Sequence, residues 1–243
     1  MPEEAALLTL LVLVAASTLH ASVGFGTALV AMPLLVMLVG LETATPLVGL
    51  AGLATVLVVL RREWSQIDFR AAGRLLVAST AGIPLGIYAI RHIPGVWITT
   101  ALGVVLVLFG IWSLLSPQLP RLTWRPAVYL AGLCAGVLGG AYNINGPPVV
   151  IYGALAQWSP AQFRATISGY FLPTALMVCG AHALAGLWTA RVFELLAWGL
   201  PGLVAGNFCG RWLGERIARE QFARLLHMLI FALGCLLLVQ STR

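Results

Sequence analysis

Ten apolar runs, separated by short polar stretches, account for most of the chain. A helix that spans a bilayer needs about 20 predominantly apolar residues, and runs of about this length are typical of membrane helices. The pattern therefore predicts an all-α polytopic membrane protein. The runs cover residues 5–20, 27–40, 44–60, 72–90, 96–115, 127–141, 147–156, 165–186, 193–210 and 222–239.

The pattern of runs restarts after the middle of the chain, which indicates an internal repeat. The segments 24–33 and 139–148 have the same length, and each runs from a glycine to a proline inside an apolar stretch. Further on, the Gly-Ile-Pro sequence at 82–84 has a counterpart in the Gly-Leu-Pro sequence at 199–201. Internal repeats of this kind are common in secondary transporters.

Two membrane repeats of similar length follow from this comparison. We predict the first at 1–115 and the second at 127–243, joined by a linker rich in Pro and Arg at 116–126. Each repeat is predicted to hold a helical hairpin broken by Gly or Pro, followed by three transmembrane helices. The orientation of the two repeats depends on whether the broken segment crosses the membrane once or turns back.

The arginines distinguish these two topologies, because all 14 basic residues of the chain are arginine. If each broken segment crosses once, the two sides of the membrane carry eight and six arginines, which favours neither orientation. If each segment turns back, the counts become eleven and three, as the positive-inside rule requires. The three are Arg91, Arg191 and Arg243. We therefore predict returning hairpins, inverted repeats and both termini outside the cytoplasm.

The composition excludes several classes of protein. Of the 243 residues, 60% are apolar and only 9% are charged, whereas soluble domains carry about 25% charged residues. This excludes a soluble, disordered or fibrous protein, and a net charge of +6 without a basic block argues against a nucleic-acid partner. The four cysteines stand singly, so we predict no metal and no cofactor. HExxH, GxSxG and Walker A motifs are absent, which argues against an enzyme.

The two glycine-rich breaks carry the candidate chemistry. Gly and Pro inside an apolar segment leave backbone groups unpaired, which is tolerated where the break lines a protein cavity or binds a ligand. Each break also begins a helix, and free N–H groups at a helix N-terminus attract anions. Two such N-termini, one from each repeat, would suit a small anion near the membrane midplane; the alternative is that small residues only allow tight helix packing. The predicted binding residues are Ser22, Gly24, Gly26, Thr27, Gly139, Gly140, Asn143, Asn145 and Gly146.

At these breaks the chain resembles the sulfite exporter TauE/SafE family, also called TSUP, of bacterial membrane transporters. The likeness extends over essentially the whole chain, and its first motif departs from the family pattern at Phe25 and Thr27, where small residues are common. The resemblance implies export or exchange of sulfite, of sulfonates such as sulfoacetate, or of sulfur oxyanions, across the bacterial inner membrane. The motif residues are Gly24, Gly26 and Pro33 in the first half and Gly139, Gly140, Gly146, Pro147 and Pro148 in the second.

Three ionisable residues are further candidates. Arg164 lies at the start of a membrane segment, where the resemblance implies that an arginine is common, and its planar guanidinium matches a sulfonate. The alternative is an arginine that snorkels to the interface. His20 and His182 lie in apolar segments and are candidates for proton coupling. The alternative for each is a buried histidine bonded to a neighbouring helix.

We therefore predict a secondary transporter that exports small sulfur-containing anions by alternating access at a midplane site formed by the two broken helices. A passive anion channel of the same construction is the main alternative, and an enzyme or a purely structural subunit is disfavoured. The expected partners are the substrate anion and lipid. The oligomeric state is left open, with a homodimer as one alternative.

The arginine count predicts where the chain termini lie. Alkaline phosphatase fused to the C-terminus should be active, because that enzyme folds only outside the cytoplasm, and green fluorescent protein fused at the same position should stay dark. A fluorescent fusion together with an inactive phosphatase fusion would contradict the returning hairpins.

Overall fold

A computed structural model describes residues 2–23, 26–63, 69–115, 122, 124, 126–214, 216 and 219–241. Within these residues, each of the ten apolar runs corresponds to a helix, as predicted. The helices are α1 (Pro2–Val23), α2 (Thr27–Val39), α3 (Leu41–Glu63), α4 (Phe69–His92), α5 (Gly95–Leu115), α6 (Ala127–Tyr142), α7 (Gly146–Leu155), α8 (Pro160–Leu184), α9 (Ala190–Gly214) and α10 (Arg219–Ser241).

The lengths of the helices fit a polytopic membrane protein. Among the described residues, α1, α4, α5, α9 and α10 are long and apolar enough to cross a membrane. The helix α2 has 13 residues and α7 has 10, which at 1.5 Å per residue gives about 20 Å and about 15 Å. Both are shorter than the hydrocarbon core, which is about 30 Å thick. Each predicted break therefore leads into an apolar helix too short to span the bilayer as a straight rod.

Most helices begin earlier than the apolar pattern predicts, and at two of them the structure shows why. The helix α8 begins at Pro160 because Ser159 caps it: the Gln162 N–H donates to Ser159 Oγ at 3.2 Å, and the Ser159 N–H donates to Gln162 Oε1 at 2.9 Å. This reciprocal pair is a capping box. The helix α3 begins at Leu41, directly after the turn at Gly40, where φ is 78°. Polar caps and a glycine turn set these boundaries, so hydropathy alone misses them.

The helices form two compact units, each built from both halves of the sequence. The first unit comprises 1–51, 92–117 and 187–243, and the second comprises 52–91 and 118–186. The first thus holds α1, α2, α5, α9, α10 and the start of α3, and the second holds the rest of α3 with α4, α6, α7 and α8. The predicted repeats describe the sequence, and their boundaries stay a prediction.

In the first unit, α9 packs on α1 through a stripe of glycines. A Cβ atom at Gly202 would lie 2.8 Å from the Leu10 carbonyl oxygen, so only glycine allows this approach. The Ser17 hydroxyl lies at the same contact, 2.7 Å from Leu13 O and 3.4 Å from Gly202 O. Close approach of this kind increases van der Waals contact, which holds helices together where lipid removes the hydrophobic driving force. The stripe consists of Gly199, Gly202, Gly206 and Gly210.

In the second unit, α4 packs on α6 in the same manner, with glycines on both helices. A Cβ atom at Gly136 would lie 2.8 Å from Ser79 Cα, and one at Gly82 would lie 2.8 Å from the Val137 nitrogen. The Ser79 hydroxyl donates to the Gly132 carbonyl at 2.7 Å across the contact. The two backbones therefore touch directly.

The α4–α6 contact and the α9–α1 contact involve glycines that the sequence comparison pairs with each other. Gly82 and Gly199, which are counterparts in the sequence, each face the helix that precedes a break, Gly82 on α6 and Gly199 on α1. The internal repeat itself stays a prediction. The inverted orientation of the two halves stays a prediction.

The glycine contacts predict a matched pair of stability effects in the second unit. Gly136→Ala should destabilise the protein by about 1–3 kcal/mol, because the new methyl group would overlap the α4 backbone. Gly180→Ala on α8 should be neutral or slightly stabilising, because a Cβ atom there would have no described neighbour within 4 Å. Thermal unfolding of the purified variants in detergent measures both. Equal midpoints for the two variants would contradict the α4–α6 contact.

Candidate functional site

The second break lies between α6 and α7. Asn143 ends α6 in the left-handed conformation, with φ of 56°, which asparagine tolerates better than most residues. Its N–H donates to the Gly139 carbonyl at 2.8 Å, and the Ile144 N–H donates to the Leu138 carbonyl at 3.2 Å. Asn145 then occupies the N-cap position of α7 without capping that helix through its side chain. The break is therefore a defined turn with backbone bonds of its own.

The Asn145 side chain is held by α8 instead. Its Nδ2 donates to the Thr174 hydroxyl at 3.2 Å. The Thr174 hydroxyl carries a single proton, which it donates to the Tyr170 carbonyl at 2.6 Å, so it can only accept from Asn145. This order of bonds fixes which end of the Asn145 amide faces α8. The second proton of Nδ2 and the amide oxygen are left for other partners.

His182 on α8 contacts the other side of the same break. Its Nε2 lies 2.9 Å from the Gly140 carbonyl oxygen, and a carbonyl only accepts, so Nε2 carries the proton. Gly140 lies in the last turn of α6, and the N–H of Ile144, four residues on, bonds to Leu138 instead. His182 Nδ1 is buried and has no partner among the described residues. The geometry favours the structural alternative for His182, and proton coupling there stays an untested prediction.

The first break lies between α1 and α2. Gly24 and the side chain of Ser22 lie outside the described residues. Gly26 precedes α2 with φ of 109°, a conformation that favours glycine. Thr27 begins the helix and is only 5% exposed. Within the described part of the chain, the Thr27 hydroxyl and His20 Nδ1 are both buried without a hydrogen-bond partner.

The two helix starts differ in the donors that they offer. In α2 the first bond back to the N-cap is Val30 N–H to Gly26 O at 3.3 Å, so the N–H groups of Thr27, Ala28 and Leu29 have no acceptor within the helix. In α7, Pro147 and Pro148 occupy the second and third positions and have no N–H at all. The sequence pattern predicts two similar helix N-termini, but Pro147 and Pro148 already distinguish the second from the first.

The glycines predicted at the second break have different surroundings. A Cβ atom at Gly139 would lie 3.3 Å from Asn145 Cβ, so Gly139 makes room for the N-cap residue. A Cβ atom at Gly140 would overlap the Ile83 carbonyl of α4, which gives Gly140 a packing role. Gly146 lies near Phe171, where a Cβ atom would make an ordinary contact at 3.8 Å.

Neutral groups dominate the surroundings of both breaks. The sequences of α2, α6 and α7 contain no Asp, Glu, Lys or Arg. Arg164 lies in the second turn of α8, and its side chain falls outside the described residues. In the part of the chain that the structure describes, no three His, Cys, Asp or Glu side chains are placed to hold a metal ion. The described groups can offer N–H, hydroxyl and amide dipoles to a ligand.

Comparison with known proteins supports the resemblance seen in the sequence. The model of the family described as sulfite exporter TauE/SafE matches residues 8–237. The chain belongs to this family. It is therefore a multi-pass membrane transporter and not an enzyme, and in a bacterium this places it in the inner membrane.

One curated relative aligns with nearly the whole chain. The probable sulfite/organosulfonate exporter TauE of Cupriavidus necator is 22% identical over 242 residues, which cover 97% of this chain and 94% of the relative. No solved structure gives a significant match to the chain.

The unpaired hydroxyl at the first break predicts an unusual stability effect. Thr27→Val should leave the free energy of unfolding unchanged or raise it by about 1 kcal/mol, because it removes a buried polar group that has no partner. Thr174→Val should lower it, because the Thr174 hydroxyl bonds both Asn145 and Tyr170. Thermal unfolding in detergent without anions compares the two. A loss in Thr27→Val as large as in Thr174→Val would show that the Thr27 hydroxyl has a partner within the protein.

Proposed function

We propose that the protein is a secondary transporter that exports small sulfur-containing anions, sulfite or organosulfonates such as sulfoacetate, by alternating access. Membership of the sulfite exporter family and the name of the Cupriavidus necator relative support the substrate class. In this proposal the anion binds at a midplane site contributed by the two broken helices.

The start of α2 is the observation that carries the proposal. Three backbone N–H groups without helical acceptors lie next to the Thr27 hydroxyl, which is buried and unpartnered among the described residues. Polar groups left unpaired in an apolar environment are costly. An anion at this position would accept from these donors and would meet the positive end of the helix dipole. The cost of the break in the free protein would then be offset on binding.

Neutral donors suit the transport of a sulfur oxyanion. Sulfite and sulfonates present three oxygen acceptors around one sulfur, and these can meet several N–H and O–H donors at once. Neutral donors at the breaks, with Arg164 as one charged contact, hold an anion less strongly than several buried arginines would, so release to the other side of the membrane is not prevented. The absence of charged residues from α2, α6 and α7 agrees with this proposal.

The second break is proposed to contribute side-chain donors where α7 lacks backbone ones. Pro147 and Pro148 remove two N–H groups, and the amides of Asn143 and Asn145 are the neighbouring donors. Arg164 remains the candidate for a charged contact with the anion, and His20 and His182 remain the candidates for proton coupling.

The site is tested by replacing Asn143 with glycine. Because Asn143 adopts φ of 56°, glycine keeps the backbone conformation while it removes the amide. Purified protein in liposomes should lose at least about tenfold in sulfite transport, comparable to the loss of hydrogen bonds to a charged group. Gln157→Gly is the matched control, since Gln157 is a left-handed residue, with φ of 54°, at the end of α7 away from the break. Equal transport by Asn143→Gly and the control would overturn the site.

A flux assay distinguishes the proposed carrier from a passive channel. Liposomes loaded with unlabelled sulfite should take up radiolabelled sulfite faster than liposomes without sulfite. The reason is that a carrier with sulfite in its binding site reorients across the membrane more readily than one with an empty site. A channel would give no such acceleration once valinomycin and equal potassium concentrations on both sides hold the membrane potential at zero. A lack of transport for sulfite, sulfoacetate and taurine alike would overturn the substrate class.

A further inference from the structure

One face of α8 packs along the second break and contacts both the end of α6 and the start of α7. Tyr170, Thr174, Val178 and His182 are spaced four residues apart, so they lie on the same side of the helix. All four are buried, with exposed fractions of 3% or less. This face, which we call the α8 face, is apolar only at Val178, and each of its polar side chains makes a hydrogen bond to another helix or to the break.

The hydrogen bonds of Thr174 and His182 reach the two helices on either side of the break. Thr174 accepts from Asn145, the N-cap of α7, at 3.2 Å, and His182 bonds the carbonyl of Gly140, in the last turn of α6, at 2.9 Å. Eight residues separate Thr174 from His182, which is about 12 Å along a helix. Between them, Val178 lies against Gly139, where a Cβ atom would be 3.7 Å from Val178 Cγ2. The α8 face thus contacts the end of one helix and the start of the next.

Tyr170 anchors the α8 face to the rest of the second unit. Its hydroxyl lies 2.8 Å from Ser79 Oγ. The single Ser79 proton goes to the Gly132 carbonyl at 2.7 Å, so Tyr170 donates to Ser79. This chain of bonds joins α8 to α4 and α6 one turn before Thr174. These bonds restrain α8, and they therefore fix the position of the Thr174 hydroxyl that accepts from Asn145.

We propose that Thr174 and His182 are positioning residues for the anion site, Thr174 through the Asn145 amide and His182 through the Gly140 carbonyl. Thr174 selects the orientation in which the Asn145 amide presents its second N–H proton away from α8. His182 satisfies a carbonyl that the break leaves without its helical partner, and so keeps the end of α6 in place. The inference rests on the proposed function, because it takes Asn145 as part of the site.

A double-mutant cycle tests the link from Thr174 to Asn145. Thr174→Val should raise the KM for sulfite about threefold to tenfold, the range expected from one buried hydrogen bond, with little change in maximal rate. In the Asn145→Ala background the same substitution should change the KM by less than about twofold, because the partner is already gone. Effects that multiply in the double variant would overturn the proposal.

Two further variants separate positioning from general packing. Thr174→Ser keeps the hydroxyl and should therefore have a KM close to that of the original protein. Thr166→Val is the matched control, because Thr166 lies on the same helix, is 1% exposed, and has a hydroxyl without a partner among the described residues. It should leave the KM unchanged. A rise in KM for Thr166→Val equal to that for Thr174→Val would overturn the proposal.

The role of His182 is tested with glutamine, whose side-chain amide N–H can replace the Nε2–H donor to the Gly140 carbonyl. His182→Leu should raise the KM or prevent folding, and His182→Gln should recover folded protein with a KM nearer the original. If His182→Gln is folded and its KM is raised as far as that of a folded His182→Leu, the Gly140 bond does not position the site.

The same assays separate this inference from the proposed function. If Asn145→Ala leaves the KM for sulfite unchanged, Asn145 is not in the site and the proposed function loses that residue. If Asn145→Ala raises the KM and Thr174→Val does not, the site stands and the positioning role fails.

Discussion

The need to satisfy backbone groups inside a bilayer governs this structure. Lipid offers no hydrogen bonds, so each N–H and C=O freed by a helix break must find a partner within the protein or its ligand. At the second break the protein supplies these partners: Asn143 and Ile144 bond back into α6, and His182 takes the Gly140 carbonyl. At the first break, the first N–H groups of α2 have no acceptor within the helix, and the Thr27 hydroxyl has no partner among the described residues.

Close packing through glycine makes these partners available. The contact of α4 with α6 brings Ser79 within reach of both the Gly132 carbonyl and the Tyr170 hydroxyl. A methyl group at Gly136 would separate these backbones. The glycines therefore contribute twice, through van der Waals contact along the helices and through the polar bonds that short distances permit. The first unit repeats this arrangement between α9 and α1, with Ser17 at the contact.

The two breaks share a layout but differ in chemistry. The first combines a left-handed glycine with a helix start rich in N–H donors, and the second combines a left-handed asparagine with a helix start that has two prolines. The predicted internal repeat accounts for the common layout, whereas the residues that differ give each break its own set of donors. In the proposed function, these differences would set which donors each break offers to an anion.

Much of the architecture could be predicted from sequence because it is local. Hydropathy located ten helices, and Gly and Pro located both breaks, since a run of apolar residues and a helix interruption each depend on neighbouring positions. The Gly-rich motifs also indicated the family that the comparison shows. The start of α8 was missed because a capping box of Ser159 and Gln162 sets it, although that signal was present in the sequence.

Only the tertiary structure decided which distant residues meet. Nothing local to Asn145 or Gly140 indicates Thr174 or His182 as a partner, because these bonds join positions 29 and 42 residues apart. The grouping of helices from both halves into each compact unit is likewise invisible in the repeat pattern. Apolar periodicity places a helix in the membrane, but which face meets which neighbour depends on the fit of glycine surfaces and on hydrogen bonds, and both arise only when the helices pack.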